Sequence, residues 1–142
     1  MPVFLWPTHA YVPGETAPHP AGYFDELFSG VKPGQSADDL ITSDAWKMGL
    51  GYMDNGYYWE AHRAWSPVVE ALPAGGLAAR TGFVVLTLAE AGLAARMGDG
   101  DVAEALCADV EVLMADVEAP GLGLRLSWIS EWLVQVRRTG RE

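Results

Sequence analysis

The hydrophobic residues of this chain recur with the spacing of an α-helix, and this pattern restricts the fold more than any other feature. Tyr58, His62, Trp65, Val69 and Leu72 stand at positions i, i+4, i+7, i+11 and i+14, which is one face of a helix. No segment shows the sustained alternation of polar and apolar residues that is typical of a half-buried strand. The pattern therefore predicts an all-α protein, built as a single bundle of about five helices.

Capping residues and turn residues predict where the helices begin and end. Ser36 and Asp39 are three residues apart, as are Asp101 and Glu104, which is the spacing of a capping box. Stretches with glycine or proline separate the segments. We expect a short helix near residues 23–28 and longer helices over 36–53, 57–72, 77–97, 101–117 and 124–138. The 77–97 helix is nearly apolar in its middle, which is typical of a buried central helix.

An N-terminal arm, residues 1–22, precedes the helical core, residues 23–140. The arm contains five prolines, too many for a regular helix or a paired strand. We expect it to lie extended across the core, attached by Phe4, Trp6 and Tyr11. The two segments together form one domain, and no repeat of fixed period divides the chain further.

The composition limits the partners that the sequence predicts. The chain has 142 residues, half of them hydrophobic, which is enough for one domain with its own core. Its net charge is −10 and no basic cluster precedes Arg137–Arg138, so neither nucleic acid nor an anionic membrane is an expected partner. Cys107 is the only cysteine, so no internal disulfide can form. A signal-peptide pattern is absent, and the most apolar stretch, residues 83–93, is shorter than a membrane span, so we expect a soluble cytoplasmic protein.

The segment from Tyr57 to Pro67 has the composition of a functional site, with Glu60 and His62 among Tyr and Trp side chains. A helix places residues i and i+4 side by side, but the residue four after His62 is Ser66, a poor metal ligand. Glu60 is two residues before His62 and points to nearly the opposite side of the helix. A pocket therefore needs further groups from outside this helix. The candidate residues are Glu60, His62, Trp65, Glu90 and His19, with His9 as a further donor.

Each candidate also has a purely structural interpretation. His62 fits a core histidine with one hydrogen bond, and Glu60 fits a carboxylate stabilised by the helix dipole and by Arg63 three residues later. Glu90 fits either a solvated carboxylate or one paired with Arg80, Arg96 or His62 across the bundle. The aromatic residues at helical spacing fit a core or a subunit interface as well as a pocket lining.

The combined pattern resembles a known family of small helical proteins, domain of unknown function family 309. The resemblance rests on the run Asn55–His62, followed by Trp65 and Pro67. Further similar stretches are residues 11–14, 19–20, 88–91 and 96–98. The resemblance implies an all-helical fold without an established activity, and the family is sometimes labelled a predicted metal-dependent hydrolase.

Several positions depart from the pattern of that family. Arg63, Ser66 and Val69 stand where the family has Glu, Glu and Trp, and Phe83 and Thr87 stand where it has amides. The departures remove a carboxylate that would share a helical face with the histidine. They also place a cation beside the histidine, which weakens any nearby metal site.

Three functional hypotheses follow from the altered pattern. The first is a non-catalytic binding or interaction module without a cofactor, with an unknown small-molecule or protein partner and a homodimeric assembly. The second is a metal-dependent hydrolase that holds a divalent ion through His62, as a weak ligand, with nearby carboxylates. The third is a rebuilt site in which Glu90 serves as a replacement acid.

Overall fold

The computed structural model describes residues 7, 9–20 and 22–141, and these residues form helices and connecting turns. A 3₁₀ helix, Asp25–Phe28, comes first. The α-helices are Ala37–Leu40 (α1), Asp44–Asp54 (α2), Tyr58–Ala71 (α3), Gly76–Arg96 (α4), Gly100–Met114 (α5) and Leu126–Thr139 (α6). No strand occurs among these described residues, which confirms the all-α prediction; helices α2 to α6 are the five long ones.

Helix α4 is the centre of the bundle, as its composition predicts. It packs against α3, α5 and α6, and its buried residues lie around most of its circumference. The whole helix has 21 residues and is long and apolar enough to cross a membrane. Its most apolar part, residues 83–93, is too short to do so alone. Half of the most apolar 18-residue stretch of the helix is buried inside the bundle. The central core helix of a soluble protein can have the same length and composition as a membrane span.

The helix predicted over residues 36–53 is two helices, so this prediction was wrong. Ser36 caps α1 as expected, since its side chain accepts a hydrogen bond from the Asp39 backbone N–H. Ser43 then caps α2 by accepting from the Trp46 N–H, while its hydroxyl donates to the Leu40 carbonyl. A side chain that satisfies one helix end and the next helix start stabilises a break between them.

The start of α5 also differs from the prediction. The helix begins at Gly100, so Asp101 lies in its first turn and is not the N-cap. The spacing of Val102, Leu106 and Val110 predicts an apolar stripe on this helix, but Val102 is 52% exposed. The buried side of α5 is instead centred on Cys107 and Val110, and burial raises the pKa of the Cys107 thiol.

The buried face of α3 is wider than the predicted stripe and is rotated away from His62. Its centre is formed by Ala61, Ala64, Trp65 and Val68, because α3 packs against α2 on one side and α4 on the other. His62 lies at the edge of this face, with its side chain 37% exposed. Pro67 lies inside α3, which continues to Ala71.

Two glycines allow aromatic side chains to lie directly on neighbouring helices. A Cβ atom added at Gly49 in α2 would lie 2.1 Å from Nε1 of Trp65, and one added at Gly92 in α4 would lie 2.1 Å from Cδ1 of Tyr58. Real side chains do not tolerate such contacts, so α3 is held at this distance from both neighbours only because these positions lack a side chain.

The described part of the arm lies against the N-terminal half of α3. It contains no regular helix, and a turn follows Val12, whose carbonyl accepts from the N–H groups of Glu15 and Thr16. Tyr11 packs edge-on against Trp59 with ring centroids 5.1 Å apart, which agrees with its predicted attachment role. Phe4 and Trp6, the other predicted attachments, lie outside the described residues.

Candidate functional site

The five candidate residues bond in three separate places. Glu60 pairs with His19 beneath the arm, and His62 pairs with Glu90 on the surface between α3 and α4. Trp65 bonds to neither pair. The predicted divergence of Glu60 and His62 follows from their spacing of two residues on one helix.

The first pair joins the arm to α3 through a buried carboxylate. His19 Nε2 lies 2.5 Å from Oε2 of Glu60, and the backbone N–H of Tyr11 donates to the same oxygen at 2.7 Å. The side chain of Glu60 is fully buried and that of His19 is 5% exposed. An ionised carboxylate only accepts hydrogen bonds, so His19 donates in this contact when Glu60 carries its charge. Glu60 therefore fixes two points of the arm with one oxygen.

Aromatic rings surround the His19 imidazole. Tyr23 stacks on it with ring centroids 5.3 Å apart, Phe24 meets it edge-on at 5.4 Å, and Trp59 lies at 5.9 Å. His9, from the arm itself, lies 5.0 Å away, and its Nε2 is 2.6 Å from the carbonyl of Ala17. The imidazole is thus enclosed by rings on several sides and bonded to a carboxylate.

The other oxygen of Glu60 has a different environment. Oε1 is buried and has no hydrogen-bond partner within residues 7, 9–20 and 22–141. The buried hydroxyl of Tyr52 lies close enough to this carboxylate for an electrostatic interaction between them. Burial raises the pKa of Tyr52 above its ordinary value, and the nearby Tyr23 and Glu60 raise it further.

Arg63 does not stabilise Glu60, in contrast to the structural interpretation above. Its guanidinium lies 4.7 Å from the centroid of the Phe28 ring, in a cation–π contact. Burial beneath the arm places Glu60 on the opposite side of the helix from solvent, so the surface ion pair predicted from the i, i+3 spacing does not form.

The second pair is open to water. His62 Nε2 lies 3.1 Å from Oε1 of Glu90, and the two side chains are 37% and 53% exposed. The hydroxyl of Ser66 lies 3.3 Å from His62 Nδ1 and donates to the His62 backbone carbonyl at 2.6 Å. His62 is therefore neither sealed nor bonded once, so its interpretation as a core histidine was wrong. His62 is the partner of Glu90, whereas Arg80 and Arg96 are not.

Ser66, His62 and Glu90 have the residue types of a nucleophile, a base and an orienting carboxylate, but the geometry does not support acyl transfer. The Ser66 hydroxyl donates to a backbone carbonyl at a shorter distance than the one to the imidazole. Acyl transfer also needs N–H donors for the developing oxyanion. The residue after Ser66 is Pro67, which has no N–H, and neighbouring N–H groups belong to helix α3.

Trp65 belongs to the core. Its side chain is fully buried, its indole N–H donates to the Trp46 carbonyl at 3.2 Å, and its ring lies 5.7 Å from Trp46 and 5.9 Å from Trp132. Tyr58 is also core, since it is 2% exposed and its hydroxyl bonds to Thr139. These two aromatic residues are therefore part of the core and do not line a pocket, which is one of the interpretations that their helical spacing allowed.

The donors fit a metal ion poorly. Among the described residues there is no group of three or more His, Cys, Asp or Glu side chains that could share one ion. His62 and Glu90 supply two donors, whereas catalytic zinc sites use three protein ligands. No reaction step through a metal follows from this arrangement.

Two partners in these sites were not predicted. The backbone N–H of Tyr11 bonds Glu60 across 49 residues, and the Ser66 hydroxyl lies beside the His62 ring. The first leaves no signal in the sequence, because a backbone donor is present at every residue except proline. The second had one, since Ser66 stands four residues after His62 on a helix.

Comparisons of the chain with protein-family models, with curated proteins and with solved structures found no match.

Proposed function

We propose that this protein is a non-catalytic binding or interaction module on the scaffold of domain of unknown function family 309. The observation that carries the proposal is that its acid–base residues are already bonded within the fold. Glu60 and His19 attach the arm, and His62 and Glu90 join α3 to α4. Neither pair stands beside a nucleophile with a free proton acceptor and an oxyanion donor.

An exposed aromatic ring supports the interaction role. Phe83 is 58% exposed although it lies on the long, largely buried helix α4. It stands seven residues, or about two helical turns, before Glu90 on the same side of α4, and Glu90 bonds His62, which lies beside Ser66 of α3. We name these four residues the α3–α4 surface. A large exposed ring next to polar groups is typical of an interaction site, and we propose a second copy of the chain as its partner.

Light scattering coupled to size exclusion tests this proposal on the full chain. We expect a dimer for the wild type and a monomer, or a dissociation constant raised at least about tenfold, for Phe83→Ser. Val112 in α5 is 75% exposed and provides the matched control, since Val112→Ser also removes an exposed apolar side chain. A wild type that is monomeric at all concentrations, or equal weakening by both variants, contradicts the proposed dimer surface.

A metal-dependent hydrolase remains the alternative proposal, supported by one observation. His62 and Glu90 face each other at 3.1 Å and both are open to water, as two ligands of an exposed ion are. Elemental analysis of the purified protein tests it. Stoichiometric zinc, manganese or iron that is lost in His62→Ala supports this alternative, and less than about one tenth of an equivalent in the wild type contradicts it.

A further inference from the structure

The imidazole of His19 fills a site with the construction of a cation receptor. Glu60 forms its base with a carboxylate, and Tyr23, Phe24 and Trp59 supply aromatic rings around it. We call these four residues the His19 cage. None of them belongs to the arm, residues 1–22, so the cage would stay with the helical core if the arm moved away.

The carboxylate in this cage has more acceptor capacity than the arm uses. Both arm donors, from Tyr11 and His19, bond to Oε2, whereas the equally buried Oε1 accepts from no described residue. A carboxylate offers about four lone-pair sites on its two oxygens. Leaving a buried acceptor without a partner costs free energy, which a ligand with a second donor would recover.

A guanidinium group can bond both oxygens of Glu60, whereas the His19 imidazole bonds only Oε2. It is planar, carries five N–H donors in a fixed fork, and bonds both oxygens of a carboxylate at once. It also stacks on aromatic faces, and in this site Tyr23 stacks on the present imidazole while the Trp59 ring lies 5.9 Å from it. An ammonium group lacks both the planar shape and the fork.

We propose that the His19 cage is a binding site for a guanidinium group, with His19 as an internal occupant that the ligand displaces. The guanidinium comes from an arginine side chain of a partner or from a small alkylguanidine. The arm is suited to leave as a unit, because prolines stiffen it on both sides of His19 and Gly22 adopts φ +76° where it joins the core. This site is separate from the α3–α4 surface and does not depend on the proposed dimer.

Removing the internal occupant gives the first test, made on the full-length His19→Ala variant. Ethylguanidinium, imidazole and propylammonium are titrated at equal ionic strength while thermal unfolding is followed. We expect saturable stabilisation in the order ethylguanidinium, then imidazole, then propylammonium, with at least about a tenfold affinity difference between the first and last. His62→Ala is the matched control, because it removes a histidine from the exposed pair, and we expect no saturable effect there.

Outcomes of this titration separate a receptor from a merely structural contact. Equal effects of the three probes on His19→Ala and His62→Ala, or stabilisation that persists in the double variant His19→Ala with Glu60→Gln, overturn the proposal. A tripeptide Gly-Arg-Gly that binds more tightly than ethylguanidinium identifies a protein partner as the source. Equal or weaker binding of the peptide identifies a small molecule.

A second measurement on the wild type covers the case in which His19→Ala does not fold. The ring protons of His19 are followed by NMR during addition of ethylguanidinium. We expect a saturable shift from the enclosed environment to that of a solvent-exposed histidine, with the His62 signals unchanged. Absence of any saturable change in the His19 signals up to about 100 mM ligand overturns the proposal. The dissociation constant would then exceed about 100 mM, which means a binding free energy weaker than about 1.4 kcal/mol.

Discussion

Two histidine–glutamate pairs lie on opposite sides of helix α3 and differ mainly in their surroundings. In the first, His19 and Glu60 are 5% and 0% exposed and their atoms lie 2.5 Å apart. In the second, His62 and Glu90 are 37% and 53% exposed and lie 3.1 Å apart. Glu60 and His62 are only two residues apart, so one short segment supplies both a buried anchor and a surface contact.

The comparison shows that the residue types do not determine what an acid–base pair does. Water solvates the surface pair well with or without its partner, so the contact adds little to folding. The buried pair has lost its water, so each group depends on the other and on the Tyr11 N–H. The buried pair therefore determines where the arm lies, whereas the surface pair stays open to water.

The largest expected effect is the loss of the buried carboxylate. Glu60→Ala leaves His19 and the Tyr11 N–H buried without their acceptor, so we expect a loss of about 3–5 kcal/mol in the free energy of unfolding. Glu90→Ala removes the same group from the exposed pair, and we expect a loss of at most about 1 kcal/mol. Urea denaturation at pH 7 measures both, and similar losses would remove the distinction between the two pairs.

The interaction free energy between the two members of each pair is expected to be smaller than the free energy of unfolding that is lost when a whole side chain is removed. A double-mutant cycle of His19→Ala and Glu60→Gln isolates the buried interaction, and we expect a coupling of about 1.5–3 kcal/mol, as for hydrogen bonds to charged groups. The same cycle for His62→Ala and Glu90→Gln is expected to give about 0–1 kcal/mol. A larger coupling in the exposed pair would mean that it is the structural one.

The helical periodicity was sufficient to predict the fold class, but not the break before α2. Periodicity predicts one helix over residues 36–53, because the apolar spacing continues across the break. Ser43 interrupts it by capping α2 and bonding to Leu40 at the same time. Serine occurs both inside helices and at their caps, so its sequence position alone does not separate these roles.

The sequence was sufficient to predict which residues belong to the candidate site, but not which of them bond to each other. Local spacing correctly separates Glu60 from His62, since residues i and i+2 point apart on a helix. Spacing says nothing about which distant group each one meets. His19 reaches Glu60 across 41 residues and His62 reaches Glu90 across 28, and such contacts depend on how the arm and α4 pack. Burial of Glu60 follows from that packing, so the sequence favoured the wrong partner, Arg63.

A third ion-pair cluster provides an intermediate case for the comparison. The Arg137 side chain is 27% exposed and bonds both Glu104 and Glu111 of α5, joining α6 to α5. The hydrogen bonds to Arg137 hold the pKa of both carboxyl groups below the ordinary value. A carboxyl group with a lowered pKa in the folded state stabilises the fold above its unfolded pKa, and this contribution is lost as the pH falls through the lowered value.

Substitution of Arg137 tests this intermediate case. We expect Arg137→Gln to lower the melting temperature at pH 7 by less than Glu60→Ala does. The difference from the wild type should begin to shrink as the pH falls below about 4, and it should disappear below the lowered pKa of the two carboxyl groups, where both are protonated in the folded and the unfolded state. Melting curves between pH 7 and pH 2 measure this. A difference that stays constant over the whole range would mean that Arg137 acts through packing of its aliphatic part.

Salt provides the smallest and most selective test of the difference between the two pairs. Ions screen exposed charges over about 8–10 Å at physiological salt and affect buried pairs much less. We expect the destabilisation by Glu90→Gln to vanish between about 0.05 and 1 M NaCl. The destabilisation by Glu60→Gln should persist over the same range, because His19 and Glu60 are enclosed by the arm and by Trp59. A Glu60→Gln effect that also disappears in salt would show that water and ions reach the carboxylate, and the arm would then not seal the His19 cage.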